Sequence, residues 1–283
     1  MGNAPAHGPG RGTCPKQTRI RKHRGRDILV ACKKFAFLVL LSALLSACSP
    51  SAVERVEWTT MGTVAALQTR GAQATEYAQS GRKTAHRLFE GIAKLLNAHD
   101  PDSELSRLAA LPEPEILAQC DPSVSNCYAT AFRLMHASGG AFNPRWRGPK
   151  TLDLGAIAKG FAVDVASGLE IGNGRGEAVL LDLGGNLKSI RGDWKVGIAG
   201  SEVVLTLTNG MACATSAEYY RGKHIYDGRT GQAVSNGVTS VTVVHPTSAM
   251  LADGLSTTLF VFGKEEGERF LKANFPEARA YWR

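Results

Sequence analysis

Apolar residues in this 283-residue chain change their spacing several times, and each change marks an element. From Thr75 to Asn97 the positions Ala85, Leu88, Phe89, Ile92, Leu95 and Leu96 fall at helical spacing, which predicts an amphipathic helix. Tyr128 to Ser138 predicts a second helix, stopped by Gly139-Gly140. Gly155 to Glu170 predicts a third, entered from a strand end at Leu152-Asp153-Leu154, and Ala252 to Phe262 a last long apolar helix with Gly263 as its stop. Val56 to Gln68 has strand character, broken at Met61-Gly62-Thr63. Val179 to Leu183, Trp194 to Ile198, Val203 to Leu207 and Val238 to Val244 alternate or are β-branched, and all predict strands. Ser103 to Ser106 opens a short helical piece, whereas the Pro- and polar-rich stretch Leu111 to Asn126 predicts a loop. Helices at the front, strands in the middle and a helix near the end predict an α+β fold in a single domain, residues 56–283.

Charge changes the picture only at the start of the chain. The formal charge of +8 suggests an anionic partner until its location is read. Residues 1–47 carry nine of the 33 Lys and Arg and one of the 25 acids, so the remainder is balanced. That balance, with no aromatic-basic stretch, helix-turn-helix or zinc-finger pattern, excludes nucleic acid as an expected partner. Residues 1–47 read as a leader. Lys33-Lys34 precede the apolar run Phe35 to Leu45, which has the length of a signal core and is too short to span a bilayer as a helix. The ending Leu45-Ser46-Ala47-Cys48 resembles the lipobox of bacterial lipoproteins. It implies a diacylated Cys48, a tether over 48–55 and membrane anchoring in the cell envelope, facing the periplasm; the alternative is a plain secretory signal with a chance cysteine. The long polar stretch ahead of the signal core leads us to expect that translation starts near Leu29 or Val30.

Of the six cysteines, Cys14 and Cys32 leave with the leader. Cys120 and Cys127 bracket a short polar loop and, in an oxidising compartment, read as a local disulfide, with a metal pair as the alternative. Cys213 lies in an apolar stretch and reads as a buried thiol.

Four segments carry candidate chemistry. Asp153-Leu154-Gly155-Ala156-Ile157-Ala158-Lys159-Gly160 puts an acid, small residues and a lysine where a helix begins, a place that favours anions, though such turns also serve packing alone. Leu181-Asp182-Leu183-Gly184-Gly185-Asn186 runs a strand into a double glycine and on its own reads as a tight turn. Ala214-Thr215-Ser216, followed by His224-Ile225-Tyr226-Asp227-Gly228-Arg229-Thr230-Gly231, gathers hydroxyls, an imidazole, a carboxylate and a guanidinium suited to phosphate, or else forms a polar hairpin. In Ala252-Asp253-Gly254-Leu255-Ser256-Thr257-Thr258, Asp253 and Thr257 are four apart and share one helix face. That carboxylate and hydroxyl make a hard-oxygen pair that suits Mg²⁺, unless Asp253 is only a helix N-cap.

In this order, with Met61-Gly62-Thr63, Asp100 to Arg107 and Gly140-Ala141-Phe142-Asn143-Pro144, the segments resemble the FAD:protein FMN transferase family, the ApbE-like flavin transferases. The resemblance runs from about Val56 to Gly263. It implies a fold of the ApbE-like, T-fold-related type, FAD as substrate, Mg²⁺ as cofactor, and transfer of FMN to a Thr or Ser hydroxyl of an exported or membrane protein with release of AMP. It also assigns roles. Met61 and His99 would meet the flavin, Ala141, Phe142 and Asn143 would line the FAD pocket, and Asp153 and Lys159 would contact FAD. Ala156 would give its carbonyl to the metal beside the side chains of Asp253 and Thr257, with Ser256 as a further carbonyl. His224 would bind at the reacting phosphates and act as the catalytic group that takes the acceptor's proton or holds the phosphate.

The chain departs from the family pattern in several places. His99 stands for the usual Tyr, Asn143 for Asp, Gly228 for Pro and Ala217 for Gly, and the stretch between Pro144 and Leu152 is tens of residues shorter. The same site also suits an FAD pyrophosphatase with water as acceptor, or a flavin-binding lipoprotein without turnover.

Overall fold

The computed structural model describes residues 52–168, 171, 178–218, 222 and 224–283. The expected leader, Cys14, Cys32, the expected lipidation position Cys48, the first residues of the expected tether and the end of the helix expected at Glu170 lie outside them. The described residues open with β1 (Glu54–Thr60) and β2 (Thr63–Arg70), then α1 (Ala74–Leu96), α2 (Glu104–Leu108), α3 (Glu113–Gln119), α4 (Ser125–Ala137) and α5 (Ala158–Gly168). There follow β3 (Ala178–Leu183), β4 (Asn186–Arg191), β5 (Trp194–Gly197), β6 (Val204–Leu207), β7 (Ala212–Ala217), β8 (Tyr226–Asp227), β9 (Gln232–Ala233) and β10 (Ser240–His245). α6 (Ala249–Phe262), α7 (Lys264–Asn274) and β11 (Arg279–Trp282) close the chain. This is the α+β architecture expected. No described helix is long and apolar enough to cross a membrane.

Seven strands form one sheet in the order β1-β2-β3-β4-β7-β10-β11, with every neighbouring pair antiparallel. Alternation along the strands sorts their side chains between two cores. Val179, Leu181 and Leu183 of β3, Ala212 and Ala214 of β7, and Val241 and Val243 of β10 face the helices. Ala178, Leu180, Cys213 and Val244 face the opposite way, onto Trp194, Ile198, Leu205 and Leu207 of the β5–β6 hairpin. α1 packs on β1 and β2, α5 on β3 and β4, and α6 on β7 and β10 and against α5. In the helical core Trp58 stacks on Phe89 with ring centroids 6.2 Å apart. Large side chains buried this fully contribute about 1.5–3 kcal/mol each.

Several expectations are corrected. The stretch Leu111 to Asn126 is not all loop. α3 forms there because Pro114 sits in its first turn, where a missing N–H costs nothing, while Ile116 is buried. Leu152-Asp153-Leu154 is not a strand end: Asp153 N–H donates to Pro144 O at 2.8 Å, and the segment has no ladder partner. α6 is the last long apolar helix, as expected, and a polar helix that was not expected, α7, follows directly after Gly263. Cys120 and Cys127 are free thiols rather than a disulfide. Cys120 lies near Glu104 and Cys127 within reach of Asp253's charge, and burial pushes both thiols' pKa up. Cys213 is a buried thiol as expected, its pKa raised to about 12 by burial.

Candidate active site

α6 carries the central residues, and its start explains their placement. Ser248 is the N-cap, its side chain accepting from Leu251 N–H, so Asp253 is not a cap but lies one turn further in. The α6 N-terminus is also held by Asp164 of α5, whose carboxylate accepts from Ala249 N–H at 2.9 Å, Met250 N–H at 3.0 Å, Ser248 Oγ at 2.8 Å and Lys188 Nζ at 2.7 Å. An anion at a helix start is stabilising. It fixes α6 against α5 before any ligand arrives. Sequence reasoning missed Asp164 because a single acid on an apolar helix gives no signal of its partner.

The two helices touch at Gly160. A Cβ there would stand 2.3 Å from Ala249 O and 2.7 Å from Asp253 Cβ, so only glycine fits. Gly160 N–H donates to Asp253 Oδ2 at 2.9 Å instead of to the carbonyl four residues back. The Ala156 carbonyl consequently accepts no hydrogen bond from the described residues. Lys159 Nζ lies 3.8 Å from Asp253 Oδ2 and donates to Gly155 O at 3.0 Å. Asp253 is buried, and burial pushes its carboxyl pKa up against the counter-pull of Lys159 and the Gly160 N–H. Asp253 Oδ1 has no hydrogen-bond partner among the described residues. One turn along the same face, Thr257 Oγ1 lies 3.1 Å from Ser216 Oγ of β7.

This donor set fits a hard divalent cation. An under-compensated buried carboxylate, a neighbouring hydroxyl and an unclaimed carbonyl are oxygen ligands of the kind Mg²⁺ takes. No group of three His, Cys, Asp or Glu side chains occurs among the described residues, so a cation here relies on neutral oxygens beside a single carboxylate.

A second cluster adjoins the first through Asp153, whose Oδ1 accepts from Gly155 N–H at 2.9 Å and so shapes the turn ahead of α5. Arg147 lies 3.5 Å from Asp153 Oδ2 and over the Trp146 ring. Trp146 stacks on Tyr226, with centroids 4.2 Å apart. Ala141 and Phe142 are buried; Ala141 O accepts from Gly228 N–H at 3.1 Å, and Asn143 Nδ2 donates to Gly228 O at 3.0 Å. The short segment after Pro144 is anchored by Arg145, whose guanidinium donates to the carbonyls of Ala109, Leu111, Pro149 and Thr151.

Other expected groups behave differently. Arg229 is not free for phosphate: Asp227 Oδ1 accepts from its Nε at 2.9 Å and Oδ2 from its Nη2 at 2.7 Å, and its guanidinium lies over Phe262. Those bonds hold the Asp227 carboxyl below the usual carboxylate range. The double-glycine segment is a turn, with Gly185 N–H donating to Asp182 Oδ1 at 2.9 Å and no room for a side chain at Gly184 beside Thr63. Met61 and His99 stay apart from the Asp253 cluster in bonding terms. Met61 occupies the β1–β2 turn, and His99 is exposed, its backbone N–H donating to Asn97 Oδ1 and its ring making no hydrogen bond among the described residues. His224 is exposed, and its Nδ1 lies 2.8 Å from Gly222 O. A carbonyl only accepts, so Nδ1 carries the hydrogen and Nε2 is left as the basic nitrogen.

Comparison with known proteins shows what the chain is similar to. Residues 146–282 match the ApbE family. Curated relatives named FAD:protein FMN transferase include one from Vibrio cholerae, 35% identical over 142 residues, or 44% of this chain and 42% of the relative. One from Haemophilus influenzae is 36% identical over 145 residues, 44% of this chain and 41% of the relative. One from Treponema pallidum is 31% identical over 208 residues, 59% of this chain and 53% of the relative. The matched stretches thus span about half or less of these relatives' lengths. The solved flavin transferase ApbE from Vibrio cholerae superposes with a TM-score of 0.66 at 23% identity, covering 82% of this chain and 97% of that one. The ApbE protein from Thermotoga maritima gives 0.67 at 20% identity, covering 82% and 94%. Residues 146–282 thus match the ApbE family model, and the described residues share the fold of the solved ApbE flavin transferases.

Proposed function

We propose that this chain transfers FMN from FAD to a threonine or serine hydroxyl of another protein and releases AMP, in the presence of Mg²⁺. The observation that carries this reading is the buried Asp253 carboxylate, which shares its surroundings with the Thr257 hydroxyl and the unbonded Ala156 carbonyl. A cation bound there neutralises charge on the pyrophosphate oxygens. The remaining work belongs to the chain. Lys159 and the turn set by Asp153 hold the anionic side of FAD, Ala141, Phe142 and Asn143 line its pocket, and Met61 and His99 meet the flavin. Nε2 of His224 takes the proton of the attacking hydroxyl as its oxygen bonds to phosphorus and the AMP oxygen leaves. Positioning and electrostatics dominate such a reaction.

The test is incubation of the protein with FAD, Mg²⁺ and a candidate acceptor, followed by in-gel flavin fluorescence and quantification of AMP. Flavin fixed on the acceptor with equimolar AMP supports transfer. Free FMN with AMP and unlabelled acceptor overturns it in favour of hydrolysis. Bound FAD without AMP overturns turnover altogether. Asp253→Asn is expected to abolish the Mg²⁺-dependent rise in Tm, worth about 2.7 kcal/mol for a cation at a hundred times its Kd, while leaving the metal-free protein no less stable. Support for a cell-envelope location comes from the lipobox-like Leu45-Ser46-Ala47-Cys48. Acyl labelling that depends on Cys48 checks it.

A further inference from the structure

The hydroxyl chain beside Thr257 can run in only one direction. Ser256 Oγ donates to the carbonyl of Asp253 at 2.8 Å, and a carbonyl has no hydrogen to give. With its one hydrogen committed, Ser256 Oγ must accept in its 2.7 Å contact with Ser216 Oγ, which makes Ser216 the donor there. Ser216 then has nothing left to give Thr257. In their 3.1 Å contact Thr257 Oγ1 is therefore the donor. The polarity of the relay, Thr257 to Ser216 to Ser256 to Asp253 O, is fixed by its last member. Its effect is felt at the first: the Thr257 hydrogen points to β7, and its lone pairs are left for another partner.

We infer that Ser216 is a positioning residue that presets the Thr257 hydroxyl as an oxygen donor to the cation, an inference that rests on reading Asp253 and Thr257 as the cation-binding pair. A hydroxyl that ligates a cation through its oxygen must send its hydrogen elsewhere. Among the described residues Ser216 Oγ is the side-chain acceptor that Thr257 Oγ1 has. Ser256, wholly buried, keeps the relay from reversing. Outer partners of this kind orient ligands and typically account for about 10–100-fold in metal affinity.

The test needs no turnover. Mn²⁺ binding to the whole protein is measured by the electron paramagnetic resonance signal of free Mn²⁺ at saturating FAD. Metal-free FAD affinity and Tm are recorded as controls. Ser216→Ala is expected to weaken Mn²⁺ binding about 10–100-fold with metal-free FAD affinity unchanged, and Ser216→Thr to restore it. Ser256→Ala keeps the Ser216 hydroxyl but frees its hydrogen to turn onto Thr257, so it too is expected to weaken Mn²⁺ binding; it decides the matter if Ser216→Ala does not fold. Wild-type Mn²⁺ affinity in the folded variants overturns the relay while leaving the cation reading intact. Absence of Mn²⁺ binding by the wild-type protein overturns the cation reading itself and the relay with it.

Discussion

At the scale of single residues, the environment of each titratable group decides what it does. His245, nearly the whole of it buried, accepts from Thr247 N–H at 3.2 Å and Ser248 N–H at 3.0 Å through Nδ1, which leaves its hydrogen on Nε2, 3.4 Å from Glu277. A second proton on Nδ1 would face two N–H donors. Burial likewise lowers the pKa of His245 against the pull of Glu277. Because the folded value lies below the unfolded one of about 6.5, the unfolded chain binds more protons in the interval between them. Stability is then full above that range and falls as the pH drops through it. Urea midpoints between pH 8 and 5 are expected to decline, and His245→Asn, which keeps an acceptor without the charge, is expected to flatten the decline. The sequence showed Asp253 and Thr257 on one helical face, and it showed His224. It did not show Asp164 or the link from Ser216 to Thr257, since both depend on which side chains meet across elements far apart in the chain.

At the scale of elements, the long apolar helices and β-branched strands were legible because their periodicity is strong. What was missed has a common cause. β7 is built of small residues, Ala212–Ala217, and β11 is only four residues long, so neither offers an alternating apolar pattern. α7 is polar and buries only Gly267, Phe270 and Leu271. α3 hid behind its prolines. The contact between α5 and α6 was visible only as small residues near a lysine, yet Gly160 is the point on which the site turns. Gly160→Ala would push a methyl into Ala249 O and Asp253 Cβ. A loss of about 1–3 kcal/mol is expected in denaturant unfolding, together with weaker Mg²⁺ binding by titration calorimetry, because the Asp253 carboxylate moves with α6.

At the scale of the molecule, one helical layer and one hairpin enclose the sheet, and the site lies where β7, α5 and α6 converge with the segment following Pro144. That segment is short but firmly fixed, by Arg145 to four carbonyls and by Asn143 to Gly228. Two of the departures from the family pattern, Asn143 and Gly228, touch each other: a Cβ at 228 would stand 2.3 Å from Asn143 Cβ, and the Gly228 carbonyl needs a donor that a carboxylate lacks. Asn143→Asp is expected to raise the KM for FAD while sparing kcat, at a stability cost of about 1–3 kcal/mol, both readable from steady-state kinetics and Tm. The β1–β2 turn tells a related story. Met61 and Gly62 both have positive φ, 47° and 68°, in a two-residue hairpin of the kind that favours Asn-Gly, and Met61 is the lone non-glycine residue in that region among those described. A thioether has been kept where the backbone would rather have an amide. Met61→Asn should therefore give a sturdier hairpin, by about 1 kcal/mol, read from Tm, and on the proposed flavin contact it should also loosen FAD binding by titration: under that proposal the bend forgoes stability so that a soft, polarisable sulfur can reach the ring.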